Sequence, residues 1–452
     1  MKKTGVLILG GGLAGLSTAR HLGVAGQRSR LVVEAKDRPG GTAGSVVTDG
    51  FTFDYTGHLL HLHDPYGKKL ILDLLGDNHA THERRAWIWS KGAFTRYPFQ
   101  ANTRGLPPAV VADCVAGFLE TVHRPRPLPK APDFLSWSRA TFGDGVTRHF
   151  MRPYNEKLWR VPLSRLTTEW QGRFVPKPSA AEVVYGAFAE QNALFGYNST
   201  FRYPVRGGIQ ALPDALAAAL EPGVLRTGAR VESVDLREKV AVVGGLGEVR
   251  YERLVNTLPL CDFLDLATPL PPAVKAARAK LRWNTVWNLN LGVDRLISDK
   301  HWVYYPEKKY PFYRVGFSSN FSPNLAPAGH TAIYVEVARP GGSAVDVPKL
   351  EAQVLAGLRE AGVLRRGDTL SAKVWMPVKV GYVVYDFDRT PAVTTIFKHL
   401  ATRGVDSIGR YGGWKYSFME ETILDGKRCA ERLCGREAAA ESAGAGILAP
   451  LK

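Results

Sequence analysis

Residues 6–34 constrain the fold of this chain most, because they place a glycine cluster between two apolar runs. The run 6–9 predicts a buried parallel strand, residues 13–22 a helix and residues 31–33 a second strand. Gly10, Gly12 and Gly15 follow the first strand at GxGxxG spacing, which suits a tight turn, close approach to a pyrophosphate and close helix–strand packing. Glu34 ends the second strand, where it can accept hydrogen bonds from a ribose. The stretch therefore predicts a dinucleotide-binding βαβ unit.

Residues that follow Glu34 extend this predicted site. Arg38 and the pair Gly40–Gly41 follow Glu34 closely, and Gly57 precedes His58 after the next apolar run. This combination is typical of FAD proteins related to amine oxidases rather than of simple NAD dehydrogenases. The sequence has no second glycine fingerprint, so we expect no separate nicotinamide domain.

Composition describes an ordinary globular protein with a strong basic bias. Hydrophobic residues make up 45% of the sequence, and the net charge is +17. A chain of 452 residues is long enough for two or three domains. The bias fits a solvated basic surface, or a positive field that attracts an anionic substrate such as a nucleotide diphosphate. Nonspecific nucleic-acid or membrane contact is a weaker alternative, because no basic run with interleaved aromatic residues stands out.

The cysteines and the chain start favour a cytoplasmic protein. Cys114, Cys261, Cys429 and Cys434 are scattered without CxxC spacing, so neither a disulfide framework nor a metal site is indicated. No apolar run reaches the ~20 residues of a membrane span. The first residues lead directly into the predicted strand, and we expect no signal peptide.

A histidine patch follows the glycine-rich region. His58, His61 and His63 alternate with leucines and lack a carboxylate pair at ligand spacing, so we expect no metal. A histidine beside a flavin could shape its electronics or take a proton. Buried structural histidines are an equal alternative for His61 and His63.

The middle of the chain predicts a helical region. Residues 110–119 and 134–142 have helical periodicity, and the segment that follows carries Tyr154, Trp159 and Arg173. A nucleotide pocket needs a ring that stacks on a base and an arginine that binds phosphates, although such residues also serve ordinary packing.

The remaining pattern completes an α/β architecture. We predict a discontinuous Rossmann-like FAD-binding domain (1–85, 201–262 and 386–435), an inserted helical lid domain (86–200), an antiparallel sheet substrate domain (263–385) and a disordered tail (436–452). Trp283 begins the alternation that indicates the antiparallel sheet, and residues 419–433 predict a helix whose N-terminus faces the cofactor.

Six sequence blocks carry a family resemblance. They are LGGGLAGLSTA with EAKDRPGG, FDYTGHLLH, YPFQANTRGLP, YNEKLW, YPVRGGIQAL and GRYGGWKY. The chain resembles the UDP-galactopyranose mutase branch of the FAD-dependent amine oxidase and protoporphyrinogen oxidase superfamily. The resemblance implies an inserted helical domain over the substrate site and a sheet domain of about six or seven strands. It also implies attack of reduced flavin N5 on the anomeric carbon of a nucleotide sugar, with pyranose–furanose isomerisation and no net redox change.

The resemblance assigns roles to individual residues. His58, Arg173 and Arg314 would act in catalysis. Substrate would contact Tyr154, Trp159, Phe312, Tyr385 and Trp414. FAD would be held by Gly10, Gly12, Gly15, Glu34, Arg38, Gly40, Gly41, Gly57, His58, Val231, Gly409, Arg410, Tyr416 and Met419. A small anionic nucleotide sugar is the expected partner, and a homodimer is compatible with the sequence.

Departures from the family pattern leave a second function open. Ser417 and Phe418 stand where the mutases have a tyrosine and an acid, and phenylalanine replaces tyrosine at Phe312 and Phe201. A pocket without these hydroxyl groups favours a different sugar nucleotide or a less polar substrate. A redox flavoenzyme that removes hydride from a C–N or C–C bond is therefore the alternative. The complete cofactor fingerprint argues against a non-catalytic protein.

Overall fold

The structure is a computed structural model that describes residues 1–123, 131–191, 195–196 and 198–435, with the side chain of Arg173 outside the described part. The predicted disordered tail, 436–452, also lies outside the described residues. In this part of the chain the strands are β1 Lys2–Leu9, β2 Arg30–Val33, β3 Ser45–Thr48, β4 Phe51–Asp54, β5 Ala80–Glu83, β6 Ala86–Ser90, β7 Ala93–Arg96, β8 Thr200–Tyr203, β9 Leu225–Arg226, β10 Val231–Asp235, β11 Val240–Val243, β12 Gly247–Asn256, β13 Ala267–Thr268, β14 Trp283–Val293, β15 Trp302–Tyr304, β16 Arg314–Phe317, β17 Thr331–Pro340, β18 Leu370–Trp375, β19 Val378–Val383 and β20 Val405–Ser407.

Helices connect and cover these strands. The α-helices of the described residues are α1 Leu13–Val24, α2 Pro65–Leu75, α3 Pro108–Val122, α4 Phe134–Val146, α5 Arg152–Trp159, α6 Ala180–Phe188, α7 Ala211–Ala218, α8 Leu260–Leu266, α9 Pro272–Ala279, α10 Val347–Glu360, α11 Arg389–Thr402, α12 Gly409–Gly412 and α13 Met419–Leu433. A π-helical turn, Thr147–Met151, joins α4 to α5. None of the helices described is long and apolar enough to cross a bilayer.

The first sheet is assembled from separate parts of the chain. Its parallel strands run in the order β20, β12, β1, β2, β9, and the antiparallel strands β10 and β11 with the short β13 extend it beyond β12. The buried side chains of β1 and β2 form near-continuous apolar runs, as expected for strands covered on both faces. Helix α13 packs beside α1, where the hydroxyl of Ser17 donates to the carbonyl of Ile423 at 2.6 Å. The first helix and the last described helix thus lie side by side next to the first sheet.

The second sheet is mainly antiparallel. Its order is β18, β14, β17, β16, β15, β6, β7, with β19 also paired to β14. Only the pair β15 and β6 is parallel among these described strands. Eight strands belong to this sheet, instead of the six or seven expected. Together the two sheets confirm the predicted α/β fold with an additional antiparallel sheet.

One part of the chain pairs differently from the predicted division. The hairpin β6–β7 turns at Lys91 and Gly92 and forms the edge of the second sheet. The predicted helical domain, 86–200, includes this hairpin, because short strands next to helical sequence carry no signal for a distant partner. Helices α3 to α6 follow the hairpin. The domain boundaries as a whole remain a prediction.

Candidate active site

A cavity of about 570 Å³ lies where the two sheets and the helical region meet. The β1–α1 turn, helix α5, strand β19 and the segment that joins α12 to α13 contribute to its walls. The predicted site residues that line it are Gly10, Gly12, Glu34, Gly40, Gly41, Gly57, His58, Tyr154, Trp159, Arg314, Gly409, Arg410, Tyr416 and Met419. The fold therefore brings together residues that lie far apart in the sequence.

Glycine is needed for a different structural reason at each of the three positions of the β1–α1 turn. Gly10 has a φ of +99°, a conformation that side-chain-bearing residues rarely adopt. A Cβ atom at Gly15 would lie 2.0 Å from the carbonyl oxygen of Gly10, so only glycine allows the helix to approach the turn. A Cβ at Gly12 would meet no atom within 4 Å, although Gly12 lines the cavity. Backbone is therefore exposed at Gly12 to any group in the cavity.

Glu34 is fixed beside this turn. Its carboxylate accepts hydrogen bonds from the backbone N–H of Gly11 at 2.8 Å and of Lys36 at 2.9 Å. The residue is 8% exposed and lines the cavity. A held acceptor next to free backbone and a helix N-terminus is the donor and acceptor set that a ribose and a pyrophosphate require. The residues present thus fit a dinucleotide cofactor.

Two of the predicted histidines line the cavity. Burial lowers the pKa of His58 to about 4, with the nearby Arg410 and Arg314 acting in the same direction. Burial likewise lowers the pKa of His61 to about 4, and its ring meets the ring of Phe418 edge-on at 5.7 Å. Both imidazoles are therefore neutral near pH 7. The backbone N–H of His63 donates to the buried Glu420, and His63 does not line the cavity.

Helix α5 presents aromatic residues to the cavity. Tyr154 stacks on Phe150 with ring centroids 5.2 Å apart and meets Tyr304 edge-on at 5.3 Å. Trp159 is 1% exposed and packs on Trp170 at 4.8 Å. Packing thus fixes both predicted aromatic residues before any ligand binds.

A buried lysine anchors the same helix. The ammonium group of Lys157 donates to the carbonyl oxygens of Tyr305 at 2.7 Å and Phe312 at 3.0 Å, and to that of Glu307. Burial lowers its pKa to about 7, against the opposing effect of Glu307. Lys157 therefore ties α5 to the chain that leads into β16.

Strand β16 contributes a buried ion pair. Arg314 lies opposite Glu336 of β17, and its guanidinium donates two hydrogen bonds of 2.6 Å to the carboxylate. Burial acts to lower the pKa of Arg314, but Glu336 outweighs it and holds that pKa above its ordinary value. Arg314 is thus a fixed cation in the cavity wall.

The segment between α12 and α13 forms an aromatic wall. Tyr416 stacks on Tyr382 at 5.8 Å, and Phe174 meets Tyr416 at 4.7 Å and Phe418 at 5.2 Å. Arg410 lies 4.9 Å from the Tyr416 ring and donates to the carbonyl of Ser417 at 2.7 Å. This part of the wall is mainly aromatic among the described residues.

Cations outnumber acids around the cavity. Its described lining includes Lys36, Arg314, Lys379 and Arg410, whereas Glu34 is the one acidic residue. Low-dielectric walls concentrate such a charge difference. Because Arg314 is paired with Glu336 and Lys379 with Asp262, the uncompensated charge is that of Lys36 and Arg410 against Glu34, a small positive excess.

Five predicted site residues lie elsewhere. Exposed Arg38 pairs with Asp214, Val231 begins β10, and Phe312 packs against Tyr305 and Tyr310. Tyr385 and Trp414 are buried behind the aromatic wall, where the Tyr385 hydroxyl accepts the backbone N–H of Tyr416 at 2.8 Å. None of the five lines this cavity, and the direct cofactor or substrate contacts expected for them stay predictions. Gly15 acts through packing within the turn, and the Arg173 side chain lies outside the described residues.

Sequence reasoning missed several residues of the wall. They are Trp170, Tyr304, Tyr313 and Tyr382. Glu336, which does not line the cavity, acts from behind the wall through Arg314. Tyr304 and Arg314 are cross-strand partners, and so are Arg314 and Glu336. Alternation within each strand was the one signal in the sequence that could have indicated which of these side chains share a face. The pairing of strands that are distant in sequence was needed to use it.

Comparisons with known proteins agree with this geometry. A family model described as flavin containing amine oxidoreductase matches residues 13–434. A solved structure of reduced UDP-galactopyranose mutase is 26% identical, with a TM-score of 0.89 over 96% of this chain and 94% of that chain. Putrescine oxidase with bound putrescine is 17% identical, with a TM-score of 0.63 over 96% and 99%, and a fatty acid isomerase from P. acnes is 14% identical, with a TM-score of 0.63 over 95% and 98%. The last two likenesses show the fold alone.

The family model spans most of the chain, and the cavity fits the cofactor that the family uses. The protein is therefore a flavoenzyme that belongs to the family of flavin-containing amine oxidoreductases, in the branch that resembles UDP-galactopyranose mutase.

Proposed function

We propose that the protein is an FAD-dependent enzyme that isomerises a nucleotide-linked sugar between its pyranose and furanose forms. The observation that carries this proposal is one cavity lined by both the dinucleotide-binding turn and the aromatic face of α5. A cavity of this kind suits a cofactor and a second nucleotide side by side. The overall likeness to a reduced UDP-galactopyranose mutase supports the same activity.

FAD would be held by the glycine-rich turn and Glu34. The backbone at Gly12 and Gly41 would face the pyrophosphate, and the Glu34 carboxylate would accept from a ribose hydroxyl. The N-terminus of α13, at Met419, lines the cavity and adds a positive dipole end. Reduced FAD would supply a nucleophilic nitrogen to an anomeric carbon.

The substrate would bind beside the cofactor, against α5. Tyr154 and Trp159 offer fixed rings for a base or ribose, and Arg410 adds positive charge toward a diphosphate. Arg173 would also bind the diphosphate, as the resemblance implies. A small anionic molecule fits this enclosed site better than a nucleic acid does.

His58 and Arg314 would assist this reaction through a hydrogen bond and a fixed positive charge. His58 is neutral near pH 7, so its ring can donate one hydrogen bond and accept another. Arg314 keeps its place through Glu336 and can stabilise negative charge that develops on a sugar oxygen. Buried, prearranged groups of this kind are more effective than the same groups in water.

The aromatic wall favours a second candidate function. Phe174 and Phe418, which contact each other beside Tyr416, add two rings without hydrogen-bonding groups to this part of the lining. Such a region suits hydride removal from a carbon centre, as in oxidases of the family. The second candidate is therefore a redox flavoenzyme acting on a C–N or C–C bond.

Activity under two redox conditions separates the candidates. The purified protein would be incubated with a panel of nucleotide sugars, with and without dithionite, and the ring form of the products read by NMR. The mutase proposal expects a furanose product only after reduction of the flavin. Bleaching of the oxidised flavin by a substrate, with formation of peroxide or a reduced acceptor, would instead establish the oxidase.

A further inference from the structure

Trp414 has a backbone conformation that needs support. Its φ is +47°, in the left-handed region that disfavours residues other than glycine, and its side chain is fully buried. Two residues later the chain enters the cavity wall at Tyr416, followed by Ser417 and Phe418. The conformation of Trp414 therefore sets the direction from which these residues reach the cavity.

Arg389 holds the carbonyl oxygen of Trp414. Its guanidinium donates through Nε at 3.0 Å and also through Nη2 to that single oxygen. The same guanidinium lies 4.1 Å from the centre of the Tyr385 ring, and Arg389 is only 7% exposed. Because the Tyr385 hydroxyl accepts the N–H of Tyr416, the segment is held at both Trp414 and Tyr416.

Helix stability does not explain this arginine. Arg389 is the first residue of α11, where a cation faces the positive end of the helix dipole. Glu169 offers only a distant partner, 3.9 Å from Nη1 and 48% exposed. The carbonyl of Trp414 is thus the main group that Arg389 binds.

The same junction reaches the adjacent part of the cavity wall. The backbone N–H of Thr167 donates to the carbonyl of Tyr385 at 2.7 Å, and the hydroxyl of Thr390 donates to Glu169 at 2.7 Å. The chain then continues to Trp170 and Phe174, which line the cavity. Phe174 contacts Tyr416 and Phe418 directly.

We infer that Arg389 is a positioning residue that, from behind the cavity, fixes the segment 414–418 and aligns it with the wall formed by Trp170 and Phe174. It touches neither cofactor nor substrate and acts through the backbone of Trp414. The inference rests on the proposed function only for the choice of UDP as a probe.

Hydrogen exchange of the flavin-loaded protein tests the positioning itself. In Arg389→Met we expect amides of 414–418 to exchange at least about tenfold faster than in the wild type, because the bonds that fix Trp414 are lost. Peptides from the middle of α13 should keep their protection. Tyr385→Phe, a smaller change, should accelerate exchange at Tyr416 through loss of the acceptor hydroxyl.

UDP binding by calorimetry tests the consequence for the site. We expect about tenfold weaker affinity in Arg389→Met, partial recovery in Arg389→Lys and recovery on addition of free guanidinium. Arg295→Met is the matched control, since Arg295 also binds a carbonyl and a carboxylate, those of Val363 and Asp368, but does not line the cavity or contact its walls. Arg295→Met should lower the stability of the protein but change neither the exchange of 414–418 nor the affinity for UDP.

Unchanged exchange at 414–418 in Arg389→Met, or equal acceleration in Arg295→Met, would overturn the inference. If the wild-type protein does not bind UDP, the proposed substrate class fails, while the exchange result still decides the role of Arg389.

Discussion

Arg314 and Glu336 face each other on β16 and β17, joined by two hydrogen bonds of 2.6 Å. Glu336 is fully buried, and the Arg314 side chain is 17% exposed. The Glu336 carboxylate is withdrawn from water and Arg314 is exposed only in part, so the carboxylate in particular depends on its partner for compensation. Removal of one partner leaves an uncompensated buried charge, which is more costly than the net value of the pair.

Glu336→Gln should therefore lower the free energy of unfolding by ~3 kcal/mol, as measured by urea titration of the flavin-loaded protein. Glu360→Gln is the control, because the pair Lys309–Glu360 is about half exposed on both sides. Its loss should change stability by less than ~1 kcal/mol. Equal effects of the two substitutions would show that burial does not determine the value of the inner pair.

Gly15→Ala and Gly12→Ala should separate folding from cofactor binding. A Cβ at Gly15 would clash with the carbonyl of Gly10 at 2.0 Å, whereas one at Gly12 would meet no atom within 4 Å of the protein. We expect Gly15→Ala to lower both stability and flavin content. Gly12→Ala should keep the stability of the flavin-free protein and lose flavin affinity, because its methyl group enters the cavity.

Flavin content by absorbance and thermal unfolding of the flavin-free protein measure these two effects. A Gly12→Ala protein that retains the wild-type flavin affinity would contradict the assignment of this turn to the cofactor.

The local pattern predicted the glycine-rich unit well because its signals lie within residues 6–34. The strands, the helix and the fixed carboxylate of Glu34 all occur where the sequence places them. Each of these features depends on neighbours in the sequence or on a buried parallel strand, whose apolar run is visible in the residues themselves.

Distant partners explain why some predicted site residues do not line the cavity. Arg38 pairs with Asp214, which no local pattern links to it, and Phe312 lies in the turn before β16, where strand alternation does not apply. There it packs beside Gly357 of α10, while Tyr313 takes the place in the cavity wall. Side-chain direction outside regular elements depends on tertiary packing, which a single sequence does not reveal.

Acid should destabilise the protein through its buried histidines. The pKa of His61 is about 4 in the folded protein and 6.5 as an ordinary value, because burial disfavours the imidazolium. The unfolded chain therefore binds more protons than the folded protein between pH 6.5 and 4. The contribution of His61 to the free energy of unfolding is complete above pH 6.5 and is lost as the pH falls through this window.

His61→Gln should remove roughly 3 kcal/mol of this acid sensitivity when the free energy of unfolding is compared at pH 7 and pH 4. Substitution of exposed His123 by Gln should leave the pH profile unchanged. If His61→Gln has the same pH dependence as the wild type, His61 is not buried in its neutral form.

Lys157 should fix the position of α5 through its hydrogen bonds to backbone carbonyl groups. Its ammonium group binds three carbonyl oxygens, those of Tyr305, Glu307 and Phe312, and a neutral side chain of similar length leaves all three without that donor. Lys157→Met should lower the free energy of unfolding by ~2–4 kcal/mol, since buried acceptors lose their partners. It should also weaken UDP binding, because Tyr154 and Trp159 lie on the same helix.

Lys69→Met is the matched control, since Lys69 is exposed on α2 and pairs only with Asp73 in the described structure. It should change neither stability nor UDP affinity measurably. A Lys157→Met protein that unfolds more readily yet binds UDP like the wild type would show that the lysine stabilises the fold without placing Tyr154 and Trp159.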